Sequence, residues 1–170
     1  MNPKQQSIND RQRERRQRGH DFQDEILQSL RDVPNVWTIN IKDGQGGSRP
    51  ADRIILTEKV RILAELKRTA GRKFFLNFLR PNQIQGLVDF DQVLEHNLGL
   101  VLVSFHNPSK QLDETYAFRL IKALEYMKRK DKLHITLKEL QNNVIPVMQF
   151  PRLNDIYDLQ EVNELNCESL

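Results

Sequence analysis

Two acids and one base in a short segment have the types and spacing of a metal-assisted hydrolytic centre. The stretch RPADRIILTEKVRILAELK runs from Arg49 to Lys67. It holds the apolar run Ile54-Ile55-Leu56 and the largely apolar run Val60 to Leu66, split by Thr57-Glu58-Lys59. Two apolar runs joined by a polar turn read as a β-hairpin. Asp52 stands at its entrance, and Glu65-Leu66-Lys67 at its exit. Residues two apart on a strand share a face, so Glu65 and Lys67 project together while Ala64 and Leu66 point the other way. Folding back on the turn sets Asp52 opposite Glu65. Two carboxylates held that close repel, and a divalent cation is the usual remedy. Magnesium takes hard oxygen ligands and keeps several waters. It can activate one of them against a phosphodiester, with Lys67 offsetting the charge that develops. A Glu-x-Lys triplet arises by chance about once in every chain or two of this size. Its place opposite Asp52 sets this one apart from a plain solvated Glu-Lys pair.

Several elements must position that hairpin. Phe22, Ile26, Leu27 and Leu30 recur at helical spacing and predict a helix from about His20 to Arg31, ended by Pro34. Val36 to Ile41 alternates and is β-branched, which predicts a strand. A Gly-rich loop, Asp43 to Ser48, leads from it to Arg49. Nothing in that loop matches a phosphate cradle, so it reads as a flexible turn able to touch DNA. Beyond the hairpin, Arg68 to Lys73 reads as a loop, and Pro81 suits the first turn of a helix reaching about His96. Leu98 to Phe105 is nearly all apolar and predicts a central strand buried on both faces. A short strand near Tyr116 to Phe118, helices over 120–130 and 137–142, and a strand over 144–150 complete the order. The fold class is therefore α/β, a single domain with a mixed sheet flanked by helices.

The ends differ from the middle. Before Gly19 the chain has Lys4, Arg11, Arg13, Arg15, Arg16 and Arg18 against Asp10 and Glu14, with little apolar content. From residue 155 onward it has Asp155, Asp158, Glu161, Glu164 and Glu168 with no base. Residues 1–18 are thus expected to be a disordered basic arm, 19–151 the folded domain, and 152–170 an acidic tail. A basic front favours an anionic partner, nucleic acid or an acidic membrane surface; a solvated charged tail is the plainer alternative. No apolar run approaches a membrane span. The single Cys167 excludes an internal disulfide and a Cys-based zinc site, and a reducing cytoplasmic setting is expected.

Pro50-Ala51-Asp52 with Glu65-Leu66-Lys67 resembles the signature of the PD-(D/E)XK nuclease superfamily. More narrowly, the chain resembles the RecU-type Holliday junction resolvases over roughly Gly19 to Pro151. The likeness includes Gly19 before Phe22-Gln23-Asp24-Glu25-Ile26, Phe74 to Phe78, Pro81-Asn82-Gln83-Ile84, and the strand Leu98 to Phe105. The resemblance implies a restriction-endonuclease-like mixed β-sheet. It implies Mg2+ held by Asp52 and Glu65 with Gln83 nearby, Mn2+ substituting, and Lys67 steadying the transition state. It also implies a homodimer cutting two strands of a four-way or other branched DNA junction in recombination or repair. The family's first-helix acid falls on Gln23 here, leaving Asp24 or Glu25 as stand-ins. The family's long stalk between its first two strands is replaced by the short run Lys42 to Ser48.

Arg49, Arg68, Arg72, Lys73 and Arg80 flank the hairpin and could grip phosphates, as could Arg16 and Arg18 from the front. Trp37 and the Phe-rich run 74–78 read as core. The alternatives to a junction nuclease are a related nuclease with another DNA substrate, or a DNA-binding protein that has lost catalysis on the same fold.

Overall fold

The alternation along the hairpin strands decides the architecture. Ile55, Ile62, Ala64 and Leu66 are buried in one apolar cluster, and Ala51, Leu63, Val101 and Val103 in another. A sheet apolar on both faces must be covered on both, so helices lie on each side. The computed structural model describes residues 3–42, 49–153, 156–166 and 170, with side chains described from 12 onward, Arg15 excepted. The Gly-rich loop expected to touch DNA, Cys167, Asp155 and Glu168 lie outside the described residues.

Helix α1 is Pro3–Arg31, strand β1 Trp37–Asn40, β2 Arg53–Leu56 and β3 Arg61–Thr69. After β4 (Lys73–Phe75) and a 3-10 turn, α2 (Pro81–Val93) crosses over to β5 (Asn97–Asn107). Next come β6 (Leu112–Arg119), α3 (Leu120–Arg129), β7 (His134–Thr136), α4 (Leu137–Gln141) and β8 (Met148–Phe150). Strands β9 (Arg152–Leu153) and β10 (Ile156–Tyr157) precede a last 3-10 turn, Gln160–Glu164. The main sheet has six strands in the order β1-β2-β3-β5-β6-β8. Only β3 and β5 run parallel, joined through α2, and the other neighbours are antiparallel. The mixed sheet flanked by helices is the fold class the sequence predicts.

In the hairpin, Arg53 faces Ala64 and Leu56 faces Arg61, the register that continues to Asp52 opposite Glu65. Helix α2 sits tightly on the sheet. A Cβ at Gly99 would lie 2.1 Å from the Leu87 carbonyl oxygen, and one at Gly86 would lie 2.5 Å from Pro50 Cβ. Any side chain at either position would push the helix off the strands.

Three expectations are corrected. Residues 3–18 belong to α1, which begins at Pro3 rather than near His20. Pro suits the first helical position, and the Gln, Arg, Lys and Glu that follow are good helix formers. The Gln17 amide also donates to Asp21 one turn on, at 2.8 Å. The acidic end is not a free tail: Tyr157, Leu159, Val162, Leu165 and Leu170 are buried in the α1-side cluster. The Tyr157 amide donates to Ser29 Oγ at 2.8 Å, and its ring meets Phe22 edge-on at 5.7 Å. Trp37, expected in the core, is 54% exposed, because no described element covers that end of β1. Within the described residues, no helix is long and apolar enough to cross a membrane.

Candidate active site at the exit of the central hairpin

Asp52 is fixed by backbone on both sides. Its N–H donates to the Ala64 carbonyl at 3.1 Å, and its carbonyl accepts from the Ile41 N–H at 2.9 Å. Its side chain turns toward β3, where Oδ2 accepts the Leu66 N–H at 2.9 Å. Glu65 is buried completely. Its Oε1 accepts from Lys67 Nζ and from Gln83 Nε2, the latter at 2.6 Å. Lys67 keeps 24% of its side chain exposed, so the pair spans the boundary between core and solvent.

Each carboxylate has one oxygen that accepts no hydrogen bond. Glu65 Oε2 is buried without a hydrogen-bond partner. Asp52 Oδ1 is buried too, and it meets Arg49 Nη2 at 2.7 Å as an ion pair but accepts no hydrogen bond of good geometry. Burial pushes the Glu65 carboxyl above its ordinary value, Lys67 pulls it back, and the Asp52 charge pushes it further up. Asp52 and Glu65 therefore feel each other across the strands, as the register requires. Arg49 and Lys67 supply the positive charge that two buried carboxylates demand.

Gln83 is buried, and its amide is committed at both ends. Its oxygen accepts the Arg80 N–H at 2.9 Å while its NH2 group faces Glu65. Gln83 thus orients Glu65 with a donor and turns its oxygen to the helix start. Asn82, whose role sequence reasoning missed, donates to the Arg49 carbonyl at 2.6 Å and ties α2 to the segment carrying Asp52. Pro81 at the first helical position is the signal that could have placed both amides at the helix start.

Lys67 opens onto a cleft of about 420 Å³ that Arg18, Thr69, Gly71 and Phe78 also line. Helix α1 thereby brings one predicted phosphate-gripping residue beside the lysine. Arg16, Arg72, Lys73 and Arg80 are exposed. Arg49 instead faces Asp52.

Arg68 departs from expectation. In place of a loop position holding phosphate, it lies on β3 with its side chain 3% exposed. The alternation that aims Glu65 and Lys67 at α2 aims Arg68 at α1. There it makes a bidentate pair with Glu25, donates to Tyr157 OH at 2.9 Å and Ser104 Oγ at 3.1 Å, and lies over the Phe22 ring. Burial opposes its charge, but Glu25 and Tyr157 more than offset that. Glu25 also accepts from Arg152 at 3.0 Å. Of the two stand-ins for a first-helix acid, Glu25 is therefore engaged by two arginines on the sheet face opposite Glu65. Asp24 is exposed.

The donor set can be tested against a magnesium ion. Among the described residues there is no group of three His, Cys, Asp or Glu side chains placed to hold a metal. Two carboxylates are nonetheless a sufficient protein share for magnesium, which keeps most of its waters. The buried Asp52 Oδ1 and Glu65 Oε2, neither of which accepts a hydrogen bond, are hard donors of the right kind. The residues present fit the ion.

No family profile matches the chain, and no curated protein matches it in sequence. Among solved structures it is similar to Hjc of Archaeoglobus fulgidus, described as a Holliday junction resolvase from an archaeal hyperthermophile. The identity is 16%, the TM-score 0.49, and the likeness covers 71% of this chain and 89% of that one.

Proposed function

We propose that this protein is a magnesium-dependent endodeoxyribonuclease that hydrolyses phosphodiester bonds in branched DNA, on a PD-(D/E)XK fold of the RecU-like resolvase type. One observation carries the reading: two buried carboxylates, one just before β2 and one on β3, each with an oxygen that accepts no hydrogen bond, stand beside a partly exposed lysine at the mouth of a basic cleft. The resemblance of the Asp52, Glu65 and Lys67 motif to that superfamily agrees with it.

The chain's own residues divide the work as follows. Asp52 Oδ1 and Glu65 Oε2 would hold the ion. When bound, magnesium supplies a lowered pKa for a coordinated water and charge neutralisation at the scissile phosphate. Gln83 donates to Glu65 Oε1 and the Leu66 N–H to Asp52 Oδ2, which holds the two carboxylates in place and leaves their other oxygens to the ion they would bind. Lys67 lies within reach of both carboxylate and cleft, and its ammonium offsets negative charge growing on the phosphate. Arg18 and the exposed Arg72, Lys73 and Arg80 grip flanking phosphates. Junction resolution needs two symmetric cuts, so the working form is a homodimer with one such site per copy.

The test is cleavage of a synthetic four-way junction, a flap and a linear duplex, side by side in magnesium. Asp52→Ala should abolish cleavage, and Lys67→Ala should slow it by about 10²–10³-fold, with DNA binding retained in both. Wild-type protein that binds DNA without cutting it, or cutting that survives both substitutions, would overturn the proposal.

A further inference from the structure

The Phe-rich run over 74–78, which reads as core in the sequence, divides once the chain folds. On β4, alternation sends Phe74 inward, where it is wholly buried, and turns Lys73 and Phe75 outward together. Phe75 keeps 39% of its surface in solvent. One exposed ring needs no explanation, but this one has company. Across the β4–β7 ribbon Phe75 faces His134, and the two rings lie 5.5 Å apart, tilted by 41°. Phe75 also meets the Phe78 ring at 5.6 Å. Phe78 in turn lines the cleft onto which Lys67 opens. Three rings thus lead from the mouth of the candidate site onto the ribbon, and Phe78 and His134 are only partly buried. The apolar cluster beneath holds them in place, where Phe74 meets Phe78 edge-on at 5.9 Å and Phe118 at 5.5 Å. The Leu76 N–H donates to the Leu133 carbonyl and the Leu137 N–H to the Arg72 carbonyl, both at 2.9 Å, which closes the ribbon at each end. The charge alongside is basic. From Thr69 to Arg80 the chain has Arg72, Lys73 and Arg80 and no acid, and all three are exposed.

We propose that Phe78, Phe75 and His134 form a stacking platform for unpaired nucleobases of the strand that enters the cleft. Every base has a π-face, so aromatic rings hold bases of any sequence while basic residues beside them take the backbone. In a linear duplex each base is covered by its neighbours, which leaves only phosphates for this surface. At a branch point or in a flap, base faces lie open. Phosphates are the same in both, so the arginines and lysines around the cleft position DNA without telling one form from the other. The rings supply that distinction, and they supply it beside Lys67, where a strand must lie to be cut.

This deepens the proposed function and rests on it for the path of the strand, but its test reads binding with magnesium chelated, so the two can fail separately. The probes are a fluorescent oligothymidine of about 15 nucleotides and an abasic strand of the same length, which keeps every phosphate and lacks the bases. Anisotropy titrations should show the wild type binding oligothymidine about tenfold or more tighter than the abasic strand, as stacking of one or two bases provides. Phe75→Ala should erase most of that difference while its affinity for the abasic strand stays within about twofold of wild type. Phe75→Trp, which restores a ring, should recover the difference. Thermal melts of both variants should match the wild type, since the ring at 75 is exposed. Equal wild-type affinity for the two strands overturns the proposal. So does a Phe75→Ala protein that tells them apart as well as the wild type, or a Phe75→Trp protein that loses the distinction as fully as Phe75→Ala. Discrimination by a protein that cuts no DNA in magnesium would uphold the platform and overturn the nuclease reading alone.

Discussion

Replacing Glu65 by Gln separates what this carboxylate does for stability from its proposed part in holding magnesium. Glu65 is wholly buried, and its Oε2 accepts no hydrogen bond. A buried polar atom left unsatisfied costs about 1–3 kcal/mol, more when charged. Against that stands the pair with Lys67, whose side chain is 24% exposed, so its ammonium can turn to water when its partner loses charge. Glu65→Gln keeps the shape, and its amide can still accept from Lys67 or Gln83. The metal-free variant should therefore be more stable than wild type by about 1–2 kcal/mol. For a domain of this length that is about 2–8 °C in Tm. Magnesium should act oppositely on the two proteins. An ion at one hundred times its Kd stabilises a single-site protein by about 2.7 kcal/mol, and the variant should show almost none of that gain. The sign with pH follows from the raised Glu65 carboxyl. The folded state holds this proton more tightly than the unfolded chain does. Its stabilising share is present below the unfolded value and is lost as pH rises through the folded one. Metal-free wild type should lose stability over that rise, whereas Glu65→Gln should not. Thermal melts in chelator and in magnesium, repeated across pH, read all three effects. A variant less stable than wild type in chelator, yet still stabilised by magnesium, would falsify the account of this site.

Glu25→Ala should cost about 3 kcal/mol in denaturant melts, because it strips a partner from the nearly buried Arg68. Cleavage by the folded fraction should persist, whereas a first-helix acid acting on the ion would abolish it. Glu139 caps α4 through Thr136 and accepts from Lys132 and from Tyr126, the latter at 2.6 Å. Burial would raise its pKa, but these hydrogen bonds win and bring it down to about 2. Glu139→Gln should cost about 1 kcal/mol at neutral pH. That gap should close as pH falls from the ordinary value of 4.5 toward about 2, where the carboxylate takes up its proton. Removing residues 1–18 should weaken DNA binding and flatten its salt dependence by about 0.9 in log–log slope for each phosphate the shortened chain leaves unneutralised. Titrations at several salt concentrations check it.

The hairpin was the most legible part of the sequence. Its turn residues and apolar runs set a register that the strands keep, and strand alternation put Glu65 and Lys67 on one face. The strand over 98–105 was equally plain, because a strand buried on both faces must be apolar throughout. The ends were misread because charge dominates their composition. Helix propensity carries α1 through the Arg-rich front, and the apolar residues spaced between the acids of the last segment pack beneath α1. Arg68 was misread for a different reason. Proximity to Lys67 in sequence suggested a shared role, but adjacent strand residues point to opposite faces.

By itself, the sequence determined that Asp52 faces Glu65 across one turn and that helices flank a mixed sheet. Those are local matters, set by residue type, by a period of two along strands and by the chemistry of turns. Only the tertiary structure decided the partners. It brought Gln83 to Glu65, Arg18 to the cleft beside Lys67, and Glu25 to Arg68 and Arg152 on the far face. Such contacts depend on how a helix sits on a sheet, and here glycines at 86 and 99 set that seat by the close approach they permit. It also left Trp37 uncovered, which residue type alone would have buried. Burial is a property of what packs against a side chain, and that is decided by elements distant in the sequence.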